Sequence, residues 1–115
     1  MGWRYWRRFF FYSFFANIKV MNPVRDKSVM YYTYVLKSKK SERLYTGSTN
    51  DLRKRFNQHN TGKSSYTKKY APYTLIYYEA CKNEQDARSR ELYLKSGMGK
   101  RYLANRLKRS LSLTG

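Results

Sequence analysis

The chain has 115 residues, with 25 Lys or Arg against 7 Asp or Glu and a net charge of +18. That length allows one domain around one modest core. A charge excess of that size repels itself unless a polyanion is the partner, so nucleic acid is the first expectation and an anionic membrane surface the second. Thirteen Tyr and six Phe exceed what a disordered chain carries. The single cysteine, Cys81, excludes an internal disulfide and a cysteine-based zinc site, and it fits a reducing, cytoplasmic location.

Residues 1–29 read as an extension distinct from the rest. Trp3, Tyr5, Trp6 and Arg7-Arg8 precede Phe9-Phe10-Phe11-Tyr12-Ser13-Phe14-Phe15-Ala16, an apolar run too short to span a bilayer. A membrane-surface segment, a weak secretion signal and an upstream extension from a misassigned start are the three readings. The third is preferred, because Met30 immediately precedes the first clear strand pattern. Either way the segment is expected to be dispensable for chemistry. Residues 1–29 hold six basic residues and one acid, and residues 30–115 hold nineteen and six, so the positive excess belongs to the globular part.

Tyr31 to Leu36 is rich in aromatic and β-branched residues and predicts a first strand. After a polar turn, Arg43 to Gly47 predicts a second strand, antiparallel to the first and broken by Gly47. Ser48, Thr49, Asn50 and Asp51 are all good N-cap residues for a helix from about Asp51 to Asn60, with Gly62 placed as its C-terminal cap. At roughly 100° per residue, Leu52 and Phe56 form that helix's apolar side, with Arg55 and His59 one turn apart on its border. Lys54 lies on the same helix.

Lys63 to Pro72 reads as a basic loop carrying Lys63, Tyr66, Lys68, Lys69 and Tyr70. Alternating cations and aromatics suit phosphates on Lys and bases or sugars on Tyr, although a solvated loop with inward-packed tyrosines has the same pattern. Tyr73 to Ala80 predicts a third strand. Asn83 caps a second helix with Glu84 and Asp86 in its first turn, where carboxylates suit the helix dipole. Glu91 needs another explanation. It shares a face with Ala87 and Leu94, where an unpaired carboxylate is costly, so it pairs with an arginine or binds a cation. Lys95-Ser96-Gly97 ends that helix. A third is predicted over Lys100 to Lys108, with Asn105 near its apolar side, and Ser110 to Gly115 reads as a frayed tail. The expected fold is α+β, a small three-stranded antiparallel sheet flanked by helices in the order β-β-α-β-α-α, over residues 30–109.

Tyr32-Thr33-Tyr34, then Tyr45-Thr46-Gly47, with Arg55, His59 and Glu91 downstream, resembles the GIY-YIG endonuclease superfamily. Residues 30–109 are similar to its small single-domain bacterial members, including at Leu75-Ile76-Tyr77-Tyr78-Glu79 and Gly97-Met98-Gly99-Lys100-Arg101-Tyr102-Leu103. The resemblance implies a nuclease that cuts DNA phosphodiesters with one divalent ion, Mg²⁺ or Mn²⁺, and no small-molecule cofactor. Carried over by motif, Tyr34 and Tyr45 are the two motif tyrosines. Arg55 is the helix arginine eight residues past Gly47, His59 the histidine one turn later, Glu91 the metal-binding glutamate and Asn105 a late asparagine. Where some relatives have a phosphate-contacting lysine, this chain has Ser48, and the first motif's glycine is Tyr32.

The residue chemistry agrees. Mg²⁺ keeps several waters and takes ligands from substrate phosphate, so one carboxylate can hold it. Arg55 can clamp phosphate oxygens. Tyr45, or else Tyr34 or His59, takes the proton from water, although a tyrosine near pKa 10 needs roughly 4 kcal/mol of phenolate stabilisation to do so at neutral pH. Lys54, Lys63, Lys68, Lys69 and Asn105 are the expected nucleic-acid contacts. The expected partner is single-stranded or branched DNA in repair or recombination, with room for a protein partner and none required of a membrane. The rival reading is a basic nucleic-acid-binding module that does not cut, and a weaker rival is a membrane-surface protein.

Overall fold

The computed structural model describes residues 29–112; apart from Val29, the extension read at 1–29 lies outside the described residues, as do 113–115. Three antiparallel strands, β1 (Tyr31–Ser38), β2 (Leu44–Thr49) and β3 (Tyr73–Cys81), form one sheet in the order β2-β1-β3. The first strand in sequence is therefore the central one. Thr33, Tyr34, Val35 and Leu36 are all buried, because each face of β1 is covered and alternation puts successive side chains on opposite faces.

The helices are α1 (Leu52–Asn60), α2 (Glu84–Lys95), α3 (Gly97–Arg106) and α4 (Lys108–Ser112). On one face, Tyr34, Leu36 and Tyr73 pack with Leu52 and Phe56 of α1. On the other, Val35 packs with Leu94 of α2 and Leu103 of α3. The α+β class and its three-stranded antiparallel sheet are as the pattern predicted. Caps fix the helix ends. Asp51 accepts from the Lys54 N–H, and Asn83 from the Gln85 and Asp86 N–H groups. Gly62, at φ 77, lets the Lys63 N–H return to the Gln58 carbonyl at 3.0 Å and close α1.

Three expectations change. Gly47 does not break β2. It lies within the strand, directly opposite Tyr34, and β2 runs on to Thr49. The third helix starts at Gly97 rather than Lys100, because Ser96 caps it by accepting from the Gly99 N–H. Gly97 and Gly99 read as breakers, yet Gly99 is needed there: a Cβ would collide with the Tyr93 carbonyl and the Leu94 backbone. The chain expected to fray from Ser110 is instead helical through Ser112, in α4. The basic loop after α1 also contains a short 3-10 turn, Lys68–Tyr70. Among the described residues, no helix is long and apolar enough to cross a membrane.

Candidate active site

The sheet order makes β2 an edge strand. Tyr34 and Tyr45 project to the α1 face, and Thr33, Thr46 and Ser48 to the α2 face. Glu91 therefore arises from the helix layer opposite α1, and bonds to the edge strand at Ser48. Gly47 leaves room for Tyr34 on the α1 face. A Cβ at Gly47 would lie 2.6 Å from the Tyr34 hydroxyl oxygen and 2.8 Å from the ring carbon bearing it. With no side chain there, the buried Tyr34 ring lies directly against the Gly47 backbone, its hydroxyl bonded to His59.

His59 holds Tyr34 in place. It is fully buried, with Nε2 hydrogen-bonded to the Tyr34 hydroxyl at 2.9 Å and Nδ1 to Thr67 Oγ1 at 2.7 Å. Burial, followed by the nearby Arg55 charge, holds the His59 pKa down at about 4. His59 is thus a neutral, enclosed ring. Burial pushes Tyr34 up to about 12, with Arg55 pulling the other way. Tyr45 stacks obliquely between His59, at 4.8 Å between ring centres, and the exposed Tyr66, at 5.9 Å. Of the two motif tyrosines, it is the one open to solvent, since Tyr34 is only 1% exposed.

Arg55 faces both tyrosines from α1 and donates to Gln58 Oε1 at 3.0 Å. Partial burial opposes its charge, but the Tyr34 and Tyr45 hydroxyls more than offset this and its pKa rises. Glu91 accepts from Ser48 Oγ at 2.7 Å and from Lys95 Nζ at 2.9 Å, and its charge is felt at the Tyr34 hydroxyl. The arginine pairing considered for Glu91 is absent; a lysine one turn on takes that place. Tyr34, Tyr45, Arg55 and Glu91 thus share one electrostatic neighbourhood at the β2 edge, with His59 behind it.

The proposed nucleic-acid contacts are less concentrated. Lys54 and Lys63 line the outer side of α1, and Lys68 and Lys69 are exposed on the 3-10 turn, with the Lys69 ammonium 5.5 Å from the centre of the Tyr70 ring. Asn105 is not brought to the cluster. It lies about 200° around α3 from buried Leu103 and is exposed, so its expected place near the apolar side is corrected. Sequence reasoning missed Ser48 as a donor to Glu91, Lys95 as its partner and Thr67 as the support of His59. Only the Glu91–Lys95 spacing of four residues gave a readable signal.

Among the described residues no group of three or more His, Cys, Asp or Glu gathers as a metal cage. Glu91 supplies two hard oxygens, each with one hydrogen bond and a remaining lone pair. That suits an ion that keeps most of its own waters, such as Mg²⁺ or Mn²⁺, and not a closed zinc site.

Comparison with known proteins bears on this arrangement. The UPF0213 protein of Clostridium perfringens is 48% identical over 67 residues, covering 57% of this chain and 71% of that one. The UPF0213 protein of Streptococcus agalactiae is 43% identical over 65 residues, covering 56% and 73%. The solution NMR structure of a UPF0213 protein from Bacillus halodurans is 28% identical, covers 74% of this chain and 93% of its own, and superposes with a TM-score of 0.45. The family model of the GIY-YIG catalytic domain matches residues 30–105. Members of that family are nucleases and generally require a divalent metal. The match runs from β1 into α3 and takes in both tyrosines, the arginine and the glutamate, and this chain therefore belongs to the GIY-YIG nuclease family.

Proposed function

We propose that the protein is a metal-dependent endonuclease that hydrolyses DNA phosphodiesters, with Tyr34, Tyr45, Arg55, His59 and Glu91 as its centre and DNA repair or recombination in the cytoplasm as its setting. The observation that supports this is that the Arg55 guanidinium, Tyr45 and the Glu91 carboxylate, which comes from the opposite helix layer, all lie within electrostatic reach of the Tyr34 hydroxyl. Glu91 would hold the ion. When bound, a divalent cation supplies Lewis-acid polarisation of the phosphoryl group and charge neutralisation at the leaving oxygen.

The chain's own residues do the rest. Arg55 offers its guanidinium to two phosphate oxygens, in the two-point geometry a lysine lacks. Tyr45 receives the proton of the attacking water; it stands partly open to solvent beside Arg55. Water oxygen bonds to phosphorus, the phosphorus–oxygen bond to the departing strand breaks, and that oxygen is protonated from solvent. Tyr34 and His59 do not exchange a proton at rest, since one sits at about 12 and the other at about 4. Their bond fixes the position of the Tyr34 hydroxyl beside Arg55, and His59 acts through Tyr34 as a positioning residue.

One observation favours the rival, a binding module that does not cut: both Glu91 oxygens already have partners in Ser48 and Lys95, so the carboxylate is satisfied without a metal ion. The test is to incubate the full chain with supercoiled plasmid and with labelled single-stranded and branched DNA, in Mg²⁺ or Mn²⁺ and in EDTA. Nicking with either ion, absent in EDTA and absent in Glu91→Gln with DNA binding preserved, supports the nuclease. Binding without a nick in any substrate or ion establishes the rival.

A further inference from the structure

A groove of about 730 Å³ runs along the free edge of β2, lined by Arg43, Tyr45, Tyr66, Tyr70, Lys95 and Lys100, with apolar side chains from α2, α3 and α4 completing its wall. Its size falls in the ~300–1,000 Å³ range of small-ligand sites. The charged residues of its lining are all cations. It opens from the candidate active site, because Tyr45 belongs to both.

Tyr66 is the unusual member. It is 81% exposed, takes no part in either hydrophobic core, and touches the protein through the tilted face of Tyr45. A large aromatic ring held out over a cationic groove is a platform with one face unused. The Arg43 guanidinium carbon lies 4.6 Å from the centre of the Tyr70 ring, which anchors that cation at the groove. A flat apolar ring flanked by cations matches a nucleotide, whose base has a π-face and whose neighbours are phosphates. Paired bases inside a duplex present no such face to a protein side chain.

Resting on the nuclease reading, we propose that this groove is a subsite for one unpaired nucleobase next to the scissile phosphate, stacked on Tyr66, with Arg43 and Lys100 on the flanking phosphates. The substrate class that follows is DNA with an unpaired nucleotide at the cut, such as a single strand, flap or bulge, in preference to continuous duplex.

Binding in EDTA tests this without cutting. The full chain is titrated into single-stranded oligonucleotides carrying 2-aminopurine at successive positions, and into duplex of the same sequence. Stacking on Tyr66 is expected to quench the fluorophore at one position. Tyr66→Ala removes the quench and weakens single-strand binding about tenfold, leaving duplex affinity unchanged, and Tyr66→Phe restores both. An unchanged melting temperature in Tyr66→Ala, expected of so exposed a residue, shows that the fold is intact. Wild-type single-strand affinity in Tyr66→Ala overturns the subsite, as does an equal loss on single strand and duplex. If the quench behaves as expected but no metal ion supports cutting, the subsite stands and the nuclease reading falls. If metal-dependent cutting is seen and is indifferent to Tyr66, the nuclease reading stands and the subsite falls.

Discussion

Two clusters in this protein are built from the same residue types and do different work. At the β2 edge are Tyr34, Tyr45, Arg55 and Glu91. Between β3, α2 and α3 are Tyr77, Tyr102, Arg90 and Glu79. In the second, the Arg90 Nε–H donates to Glu79 Oε2 at 2.9 Å, and its guanidinium lies 4.8 Å from the centre of the Tyr102 ring and 5.1 Å from that of Tyr93. The Tyr77 hydroxyl donates to the same carboxylate at 2.9 Å, and burial, then its bonds to Tyr102 and Glu79, raise its pKa. Cation and anion satisfy each other there. At the β2 edge Arg55 and Glu91 do not pair: Arg55 is bonded to neutral Gln58, and Glu91 to Ser48 and a half-exposed lysine. The guanidinium and the carboxylate remain available to a third party. The composition of a polar cluster therefore says little about function, and what matters is whether its opposite charges close on one another.

The largest effect should come from swapping the two glutamates' fates. Glu91→Gln is expected to lower cutting by about 10³-fold or more, because it removes the carboxylate proposed to hold the ion, while the melting temperature barely changes. Glu79→Gln should do the opposite, costing about 1 kcal/mol of stability at a part-exposed pair and leaving cutting within about twofold. Parallel nicking assays and urea melts decide it. Equal losses of cutting in both variants would falsify the division between the clusters.

Next comes the close approach of Tyr34 to Gly47. Gly47→Ala places a methyl group where the Tyr34 hydroxyl now passes, and that ring, buried and bonded to His59, has little freedom to yield. Cutting should drop about 10²-fold and stability by about 1–3 kcal/mol. A Gly47→Ala enzyme with wild-type rates means that the Tyr34 hydroxyl does not need its place against Gly47.

Much of this architecture was readable because local rules and the fold agree. Alternating aromatic and β-branched residues marked β1 and β3, and Asp51, Asn83 and Gly62 marked helix ends, as caps do from any sequence. The motif spacings singled out Tyr34, Tyr45, Arg55 and Glu91. What stayed hidden depended on distant neighbours. Gly47 looks like a strand breaker until Tyr34 is seen opposite it. Gly99 looks like a helix breaker until its contact with the end of α2 is known. His59 reads as a residue on the border of α1's apolar side until Tyr34 and Thr67 are seen to close around it. The register also shifts between Val35 and Leu36: Tyr77 faces Val35 and Leu75 faces Leu36, leaving Ile76 as an extra residue that no pattern of alternation announces.

His59 gives an intermediate effect that again separates the regions. Its pKa is about 4 folded against 6.5 unfolded, so between those values the unfolded chain binds a proton that the native one refuses. Its contribution is fully present above pH 6.5 and is lost as the pH falls toward 4. By pH 5, before most carboxylates titrate, the loss should reach about 2 kcal/mol. Urea midpoints at pH 7.5 and 5 measure it, and His59→Gln should flatten the dependence. A variant as acid-sensitive as wild type assigns the effect elsewhere.

The smallest expected effect tests how loosely the β2-edge charges are held. Lys95 is one helical turn from Glu91 and half-exposed, an arrangement worth about 0.3–0.5 kcal/mol. If its ammonium competes with the divalent ion for the same carboxylate, Lys95→Met should lower the Mg²⁺ or Mn²⁺ concentration that half-saturates cutting by about twofold, the factor that energy corresponds to. The direction is informative because a second use is open to Lys95, as a phosphate contact in the groove. Losing that contact weakens DNA binding and reduces its salt dependence, without shifting the metal requirement at saturating DNA. Metal titrations at saturating DNA therefore separate the two. A requirement that rises on removing the lysine shows that the Glu91–Lys95 pair orients the carboxylate for the ion, which would make the pair as structural as the one between Glu79 and Arg90.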